Sequence, residues 1–353
     1  MRVALIEFYV TENEVFIFAL NPHRSGSDPQ PLVKSVPIKQ QQLRALTSMI
    51  WSFNKNPIIV NQNIAHFQDI GAKLIEPILE YLDPCDILYI VPHKELHYVP
   101  LHAILVNGKP LCEQVAVVYL PNASLLPFCQ ANNAKRKDKN YQYKKIFTMG
   151  IGAKEDTKVN RNKFTQESRK IGQIFDIGSV DCNTGVMAGK KKFIENAPSC
   201  DLIHIASHGY FDKQNPLGSG PLLSWARRYP MLENSANFDK HILKAEEFYQ
   251  LKLKANLMVL SGCFTGRNKV RPGDELLGLA RGLFIAGVPS MILSLWEAHH
   301  DASIHFMKCF YTELKKGIPK AIAYQKAQNY LRQQLEFQEM KYWAPFILIG
   351  DWL

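Results

Sequence analysis

Two apolar runs in this chain each stop on a side chain able to do chemistry. "DLIHIASHG" (201–209) closes on His208 and Gly209, and "LMVLSGC" (257–263) closes on Gly262 and Cys263. A free thiol ionises near pH 8.5, and only the thiolate is a nucleophile. An imidazole beside it can take the thiol proton and later deliver it to a leaving amine. Cys263 follows His208 by 55 positions, room for one crossover and a loop. Adjacent parallel strands joined that way bring both residues to one sheet edge. The backbone N–H groups of Gly209 and Cys263 could then serve as oxyanion donors, each worth a few kcal/mol in a transition state.

Other chemistries fit these residues less well. His204 and His208 have the i, i+4 spacing of zinc ligands on a helix, but on a strand that spacing separates them, and Ile205 stands where a metallohydrolase needs Glu. His204 reads instead as a core histidine. Ser207 and Ser261 lack the G-x-S-x-G context of a nucleophilic serine. His93, His97 and His102, in "HKELHYVPLHAIL", read as part of a loop packed on a sheet. The seven cysteines (85, 112, 129, 182, 200, 263, 309) are dispersed, with no C-x-x-C pair. That spacing argues against a disulfide framework or a thiolate zinc site, and such thiols suit a reducing cytoplasm. A strand-end cysteine most often simply fills space, so the bland reading of Cys263 stands beside the catalytic one.

The surrounding elements must place these residues. "KIFTMGIG", "CDLIHIASHG", "NLMVLSGC", "PSMILSLW" and "WAPFILIGDW" are short, continuously apolar strands. Between them "QESRKIGQIF", "KKKFIENAP", "AEEFYQLKL" and "DELLGLARGLFIAG" have helical spacing, with further helices near 301–316 and 319–338. Apolar strands alternating with helices specify an α/β fold with a mostly parallel sheet covered on both faces. Active sites in such sheets lie at the carboxyl ends of strands. Upstream, "VALIEFYV" and "EVFIFAL" read as paired strands, "QQLRALTSMIWSFN" and "AHFQDIGAKLIEPILEYL" as helices, and "DILYIVP" and "VAVVYLP" as strands. That half has no nucleophile–base pair of its own.

With 353 residues, 46% apolar and 21% charged, the chain can bury one large or two ordinary cores. No run of 18 apolar residues appears, and Glu7, Glu12 and Glu14 interrupt the amino-terminal stretch, so neither a membrane span nor a secretory leader is expected. The net charge is +10, but residues 134–163 alone hold ten Lys/Arg against three acids. The basic character is therefore one local segment, "AKRKDKNYQYKK" and its continuation to residue 163, rather than a folded basic face. It reads as a solvated linker or as a docking arm for an acidic partner. Nucleic-acid binding, which would be steeply salt-dependent, is the lesser reading.

"IHIASHGYFD", "LMVLSGCFTG", "GDELLGLARGLFIAGVPSMILSLW" and "YWAPFILIGDW", in that order, resemble the CHAT family of caspase-like cysteine peptidases, related to caspases and separases. "YIVPHKELHYVPLHAIL" and "YLPNASLL" resemble that family's amino-terminal portion. The resemblance implies a caspase-like sheet over 146–353, a related non-catalytic α/β half over 1–133, and a basic linker at 134–145. It implies His208 as base or proton donor, Cys263 as nucleophile, Gly209 and the Cys263 amide as oxyanion donors, and no cofactor or metal. It also implies a protein substrate, in host defence or cell death; control of such a peptidase is expected from a protein activator or regulator, from assembly or from cleavage, with the basic stretch at 134–163 a candidate self-cleavage or docking segment. A catalytically silent interaction module on the same fold is the alternative.

One departure bears on specificity. After "SLW" the family usually runs on through a hydrophobic residue and one or two aspartates; here "SLWEAHHDAS" places His299 and His300, then Asp301. In separase-like relatives an acid near the place of His300 receives a basic side chain, so that preference is not carried over. The expectation is a pocket near Trp296, His300 and Asp301 that takes a non-basic or small side chain. Asp212, Asp274 and Glu275 are alternative pocket acids.

Overall fold

The computed structural model describes residues 1–353 except 25–29, 51–56, 134–141, 154–155, 176, 186–187, 211, 213–214, 224–238 and 263–274; of 57–63, 177, 216 and 275–277 it describes the backbone alone. The chain divides into two compact units, residues 1–126 and 127–351.

In the first unit, strands β1 (Val3–Val10), β2 (Val15–Leu20), β3 (Leu32–Val36) and β4 (Ile87–Val91) share a sheet. A hairpin, β5 (Leu105–Val106) and β6 (Lys109–Pro110), precedes β7 (Ala116–Tyr119), which completes the order β3-β2-β1-β4-β7. The first three strands are antiparallel, and β1, β4 and β7 run parallel. Burial alternates along β1 and β2: Ala4, Ile6, Phe8, Val15 and Ile17 point into the core, while Tyr9 and Phe18 are exposed. That two-residue period means one covered face and one open face. Helices Gln40–Ile50 and Pro57–Ile75 belong to the same unit.

The second unit's sheet has the order β9-β8-β10-β13-β14-β15. Its strands are β8 (Ile146–Ile151), β9 (Val180–Thr184), β10 (Leu202–Ser207), β13 (Leu257–Ser261), β14 (Ser290–Ser294) and β15 (Phe346–Gly350). A small ribbon, β11 (Gly209–Tyr210) with β12 (Gly220–Pro221), follows β10 directly. All large-sheet pairings are parallel except β14 with β15. Every residue of β8, β10, β13, β14 and β15 is buried, so the sheet is covered on both faces. Leu257, Met258, Val259 and Leu260 are fully buried, and each contributes roughly 2 kcal/mol by leaving water. Helix Lys158–Ile174 packs on β8, β9 and β10 and against helix His300–Lys315, which packs in turn on Lys320–Gln333.

At the amino-terminal edge of β13 sits a buried polar knot. Lys320, fully buried, donates to Asn256 Oδ1 at 3.0 Å; the Asn256 amide bonds Asn133, and Asn133 bonds Asp351. Buried charge is tolerated only where it is paired in this way.

The expected strands and helices recur, with instructive differences. The helix sought at "QESRKIGQIF" begins at Lys158, because Thr157 caps it by accepting from the Asn160 N–H. "AEEFYQLKL" forms a 3₁₀ helix over Ala245–Gln250, too short to propagate as an α-helix. Gly287, at φ +101°, takes the left-handed conformation that stops helix Glu275–Ile285. Strands β3 and β9 add to the expected set: both are edge strands with polar residues, which hide the apolar signature.

Candidate active site

His208 lies one residue past β10, and Gly262 one residue past β13; the two strands pair in parallel with Ala206 level with Ser261. Both strands therefore end at the same edge, and His208 and Gly262 line one small pocket that is partly open to solvent. Phe164, Glu167, Ser207, Ser261, Glu297 and His300 also line it. Gly262 is held in place, its carbonyl accepting from the Ser294 hydroxyl at the end of β14. Cys263 lies outside the described residues.

Helix Lys158–Ile174 brings Phe164 against His208. Gly150 in β8 makes the approach possible, since a Cβ there would sit 2.3 Å from the Phe164 carbonyl oxygen and 2.8 Å from Ser168 Cβ. The Phe164 ring meets His208 edge-on with centroids 4.9 Å apart, and His300 likewise at 4.4 Å. His208 is only 6% exposed. Its Nε2 lies 2.7 Å from Oδ2 of Asp156, a residue that sequence reasoning counts only as one of three acids in the basic segment. A signal exists in "GAKEDT", a strand end followed by a helix cap, but nothing local ties position 156 to 208.

Behind His208, His204 is fully buried in β10. Its Nδ1 meets the Tyr311 hydroxyl at 3.0 Å, and its Nε2 is 3.2 Å from Glu167 Oε1. It is thus packed as a core histidine. Glu167 escapes sequence reasoning because it occupies the buried stripe of its helix with Phe164 and Ile171, a stripe expected to hold apolar residues.

The expected specificity residues are dispersed. His300 lines the His208 pocket, and burial pushes its pKa down, favouring the neutral ring. Asp301 points elsewhere: it pairs with Lys163 at 2.8 Å, which lowers its pKa, and it lines a neighbouring hollow with His299, His305 and Tyr342. Trp296 is buried and donates its indole N–H to the Lys341 carbonyl. Asp212 accepts from the Asn215 N–H at 3.0 Å. Gly209 opens the ribbon with Pro221. Asp274 lies outside the described residues, and of Glu275 only the backbone is described.

Among the described residues, no group of three or more His, Cys, Asp or Glu side chains is arranged to hold a metal, and no helix is long and apolar enough to cross a membrane. His93 accepts from the Val10 N–H at 2.9 Å and stacks on Tyr9. His102 is fully buried against the Tyr119 hydroxyl.

Two solved structures of the Saccharomyces cerevisiae separase–securin complex match 99% of this chain and 30% of theirs, with TM-scores of 0.57 and 0.55 at 10% and 8% identity. At such identity the likeness is one of fold: a caspase-like, mostly parallel sheet flanked by helices. Tetratricopeptide repeat protein 28 of Mus musculus is 25% identical over 192 residues, and that of Homo sapiens 30% over 110. Those matches cover 47% and 31% of this chain but only 8% and 4% of the relatives' length. The model of the CHAT domain matches residues 65–351, and the chain belongs to the CHAT domain family.

Proposed function

We propose that the chain is a cysteine endopeptidase that cuts a protein partner with Cys263 as nucleophile and His208 as its acid–base partner. One observation carries this reading: His208 and Gly262, the residue bonded to Cys263, line a single pocket at the carboxyl ends of adjacent parallel strands. In the proposed reaction the thiolate attacks the scissile carbonyl, and backbone N–H groups of Gly209 and Cys263 receive the developing oxyanion. The C–N bond breaks as protonated His208 delivers its proton to the leaving amine. Water, deprotonated by the same imidazole, then releases the acid fragment and regenerates the thiol. Four other thiols, Cys85, Cys129, Cys200 and Cys309, have pKa values raised by burial, to about 11 for Cys85 and about 12 for Cys129. They are poor competitors as nucleophiles. Free thiols also suit a reducing compartment such as the cytoplasm.

Two of the expected specificity residues bear on the substrate. Asp301 is engaged by Lys163 outside the His208 pocket, and burial favours neutral His300 within it. Both favour a non-basic or small residue before the cut, and Glu297 on the pocket wall is the carboxylate that would favour a basic one. A regulating protein partner is part of the reading. The test compares new protein amino termini produced by wild type and by Cys263→Ala in cells. Termini present only with wild type, sharing a preceding residue, support the peptidase; identical sets contradict it.

A second reading, an interaction module that retains the fold without turnover, is favoured by the curated relatives, which are named for a repeat and not for a hydrolase. It predicts that Cys263→Ala leaves partner binding and cellular effect intact.

A further inference from the structure

Asp156 is the described carboxylate in hydrogen-bonding reach of His208, and its surroundings are built to keep it there. The backbone N–H of Ala153 donates to Oδ2 at 2.7 Å, the same oxygen that lies 2.7 Å from His208 Nε2. The Asp156 N–H in turn donates to the Ala153 carbonyl. The next residue, Thr157, caps helix Lys158–Ile174 and so ties Asp156 to the helix start. Gly152 leaves the space: a Cβ there would come within 2.8 Å of Asp156 Oδ2 and within 2.8 Å of Arg161 Cγ. The two side chains are 7% and 11% exposed, so little water competes for the contact.

We infer that Asp156 is the positioning residue of the site: its carboxylate fixes the His208 ring and its tautomer, and so presents Nδ1 as the working nitrogen. An ionised carboxylate can only accept, so the proton of the neutral ring sits on Nε2 and Nδ1 is left as the base. When Nδ1 takes up a proton, the ring becomes a cation with the carboxylate already in contact. Such a charge-assisted pair is stronger than a neutral one, above all where it is shielded from water. The catalytic consequence rests on the peptidase reading; the tautomer does not.

The test separates the two. In full-length protein carrying ¹⁵N-labelled histidine, ring resonances of His208 are identified as those lost in His208→Gln. Wild type is expected to show neutral His208 protonated at Nε2. Asp156→Ala is expected to convert it to a mixture of tautomers, and Asp156→Glu to restore the wild-type pattern. Alkylation of Cys263 by iodoacetamide, read by peptide mapping, should slow about tenfold in Asp156→Ala and recover in Asp156→Glu. A wild-type His208 protonated at Nδ1, or a ring signature that Asp156→Ala leaves unchanged, overturns the inference; the first is measured on wild type and needs no variant to fold. An Nε2 tautomer that depends on Asp156, with Cys263 alkylation indifferent to His208, would uphold the positioning contact and reject the peptidase reading instead.

Discussion

Each unit of this protein has a histidine just beyond a buried parallel strand, and the two histidines have opposite circumstances. In the first unit His93 follows β4 and Pro92, accepts a backbone hydrogen bond from Val10 and stacks on Tyr9. In the second unit His208 follows β10, meets the Asp156 carboxylate and lines a pocket with Gly262. The sheets differ in the same sense. The first leaves Tyr9, Phe18 and Val33 on an open face, whereas the second buries both faces of five strands. A similar strand–helix grammar thus gives a scaffold in one case and, where glycines and small residues clear space at the strand ends, a site in the other.

The sharpest way to break this contrast is to remove each histidine in turn. His208→Ala should lower proteolytic turnover at least a thousandfold, on the order expected for a group acting in concert with the nucleophile. His93→Ala should leave it within about twofold once stability is matched. Comparable losses in an assay of either variant's cleavage products would erase the distinction.

Next comes buried against exposed charge. Lys320→Met leaves buried Asp351 without its cation and Asn256 Oδ1 without its donor in the second unit's polar knot. It should cost about 3 kcal/mol in urea unfolding. The first unit's Lys73–Asp69 pair is more than half exposed on both sides, and Lys73→Met should cost no more than about 0.5 kcal/mol. Between these lies His97. Burial holds its pKa at about 4, against 6.5 ordinarily. Because the folded value is depressed, its contribution is complete above pH 6.5 and is lost as the pH falls toward 4. His97→Gln should therefore flatten the acid side of the stability profile by about 2 kcal/mol; a profile identical to wild type would show that His97 is not held neutral.

How much the sequence reveals depends on the range of each interaction. β10, β13, β14 and β15 announce themselves as short apolar runs, and the ends of β10 and β13 mark His208 and Gly262. Asp156 cannot be read that way. It sits 52 positions from His208, and only the fold brings the two together. Asp301 parts from His300 for a simpler reason. Adjacent residues on a helix diverge by about 100°, so His300 faces the His208 pocket while Asp301, next to it, faces Lys163. Glu167 stays hidden because a carboxylate in an apolar stripe makes sense only once His204 is seen beside it.

The central claim is that His208 activates the thiol of Cys263. Iodoacetamide labelling at neutral pH, resolved cysteine by cysteine, measures this directly, with exposed Cys182 as the internal standard. The expected result is that Cys263 reacts faster than Cys182 in wild type, and that His208→Ala slows Cys263 about tenfold or more while leaving Cys182 unchanged. A Cys263 that reacts no faster than Cys182, or whose rate survives the loss of His208, would contradict it.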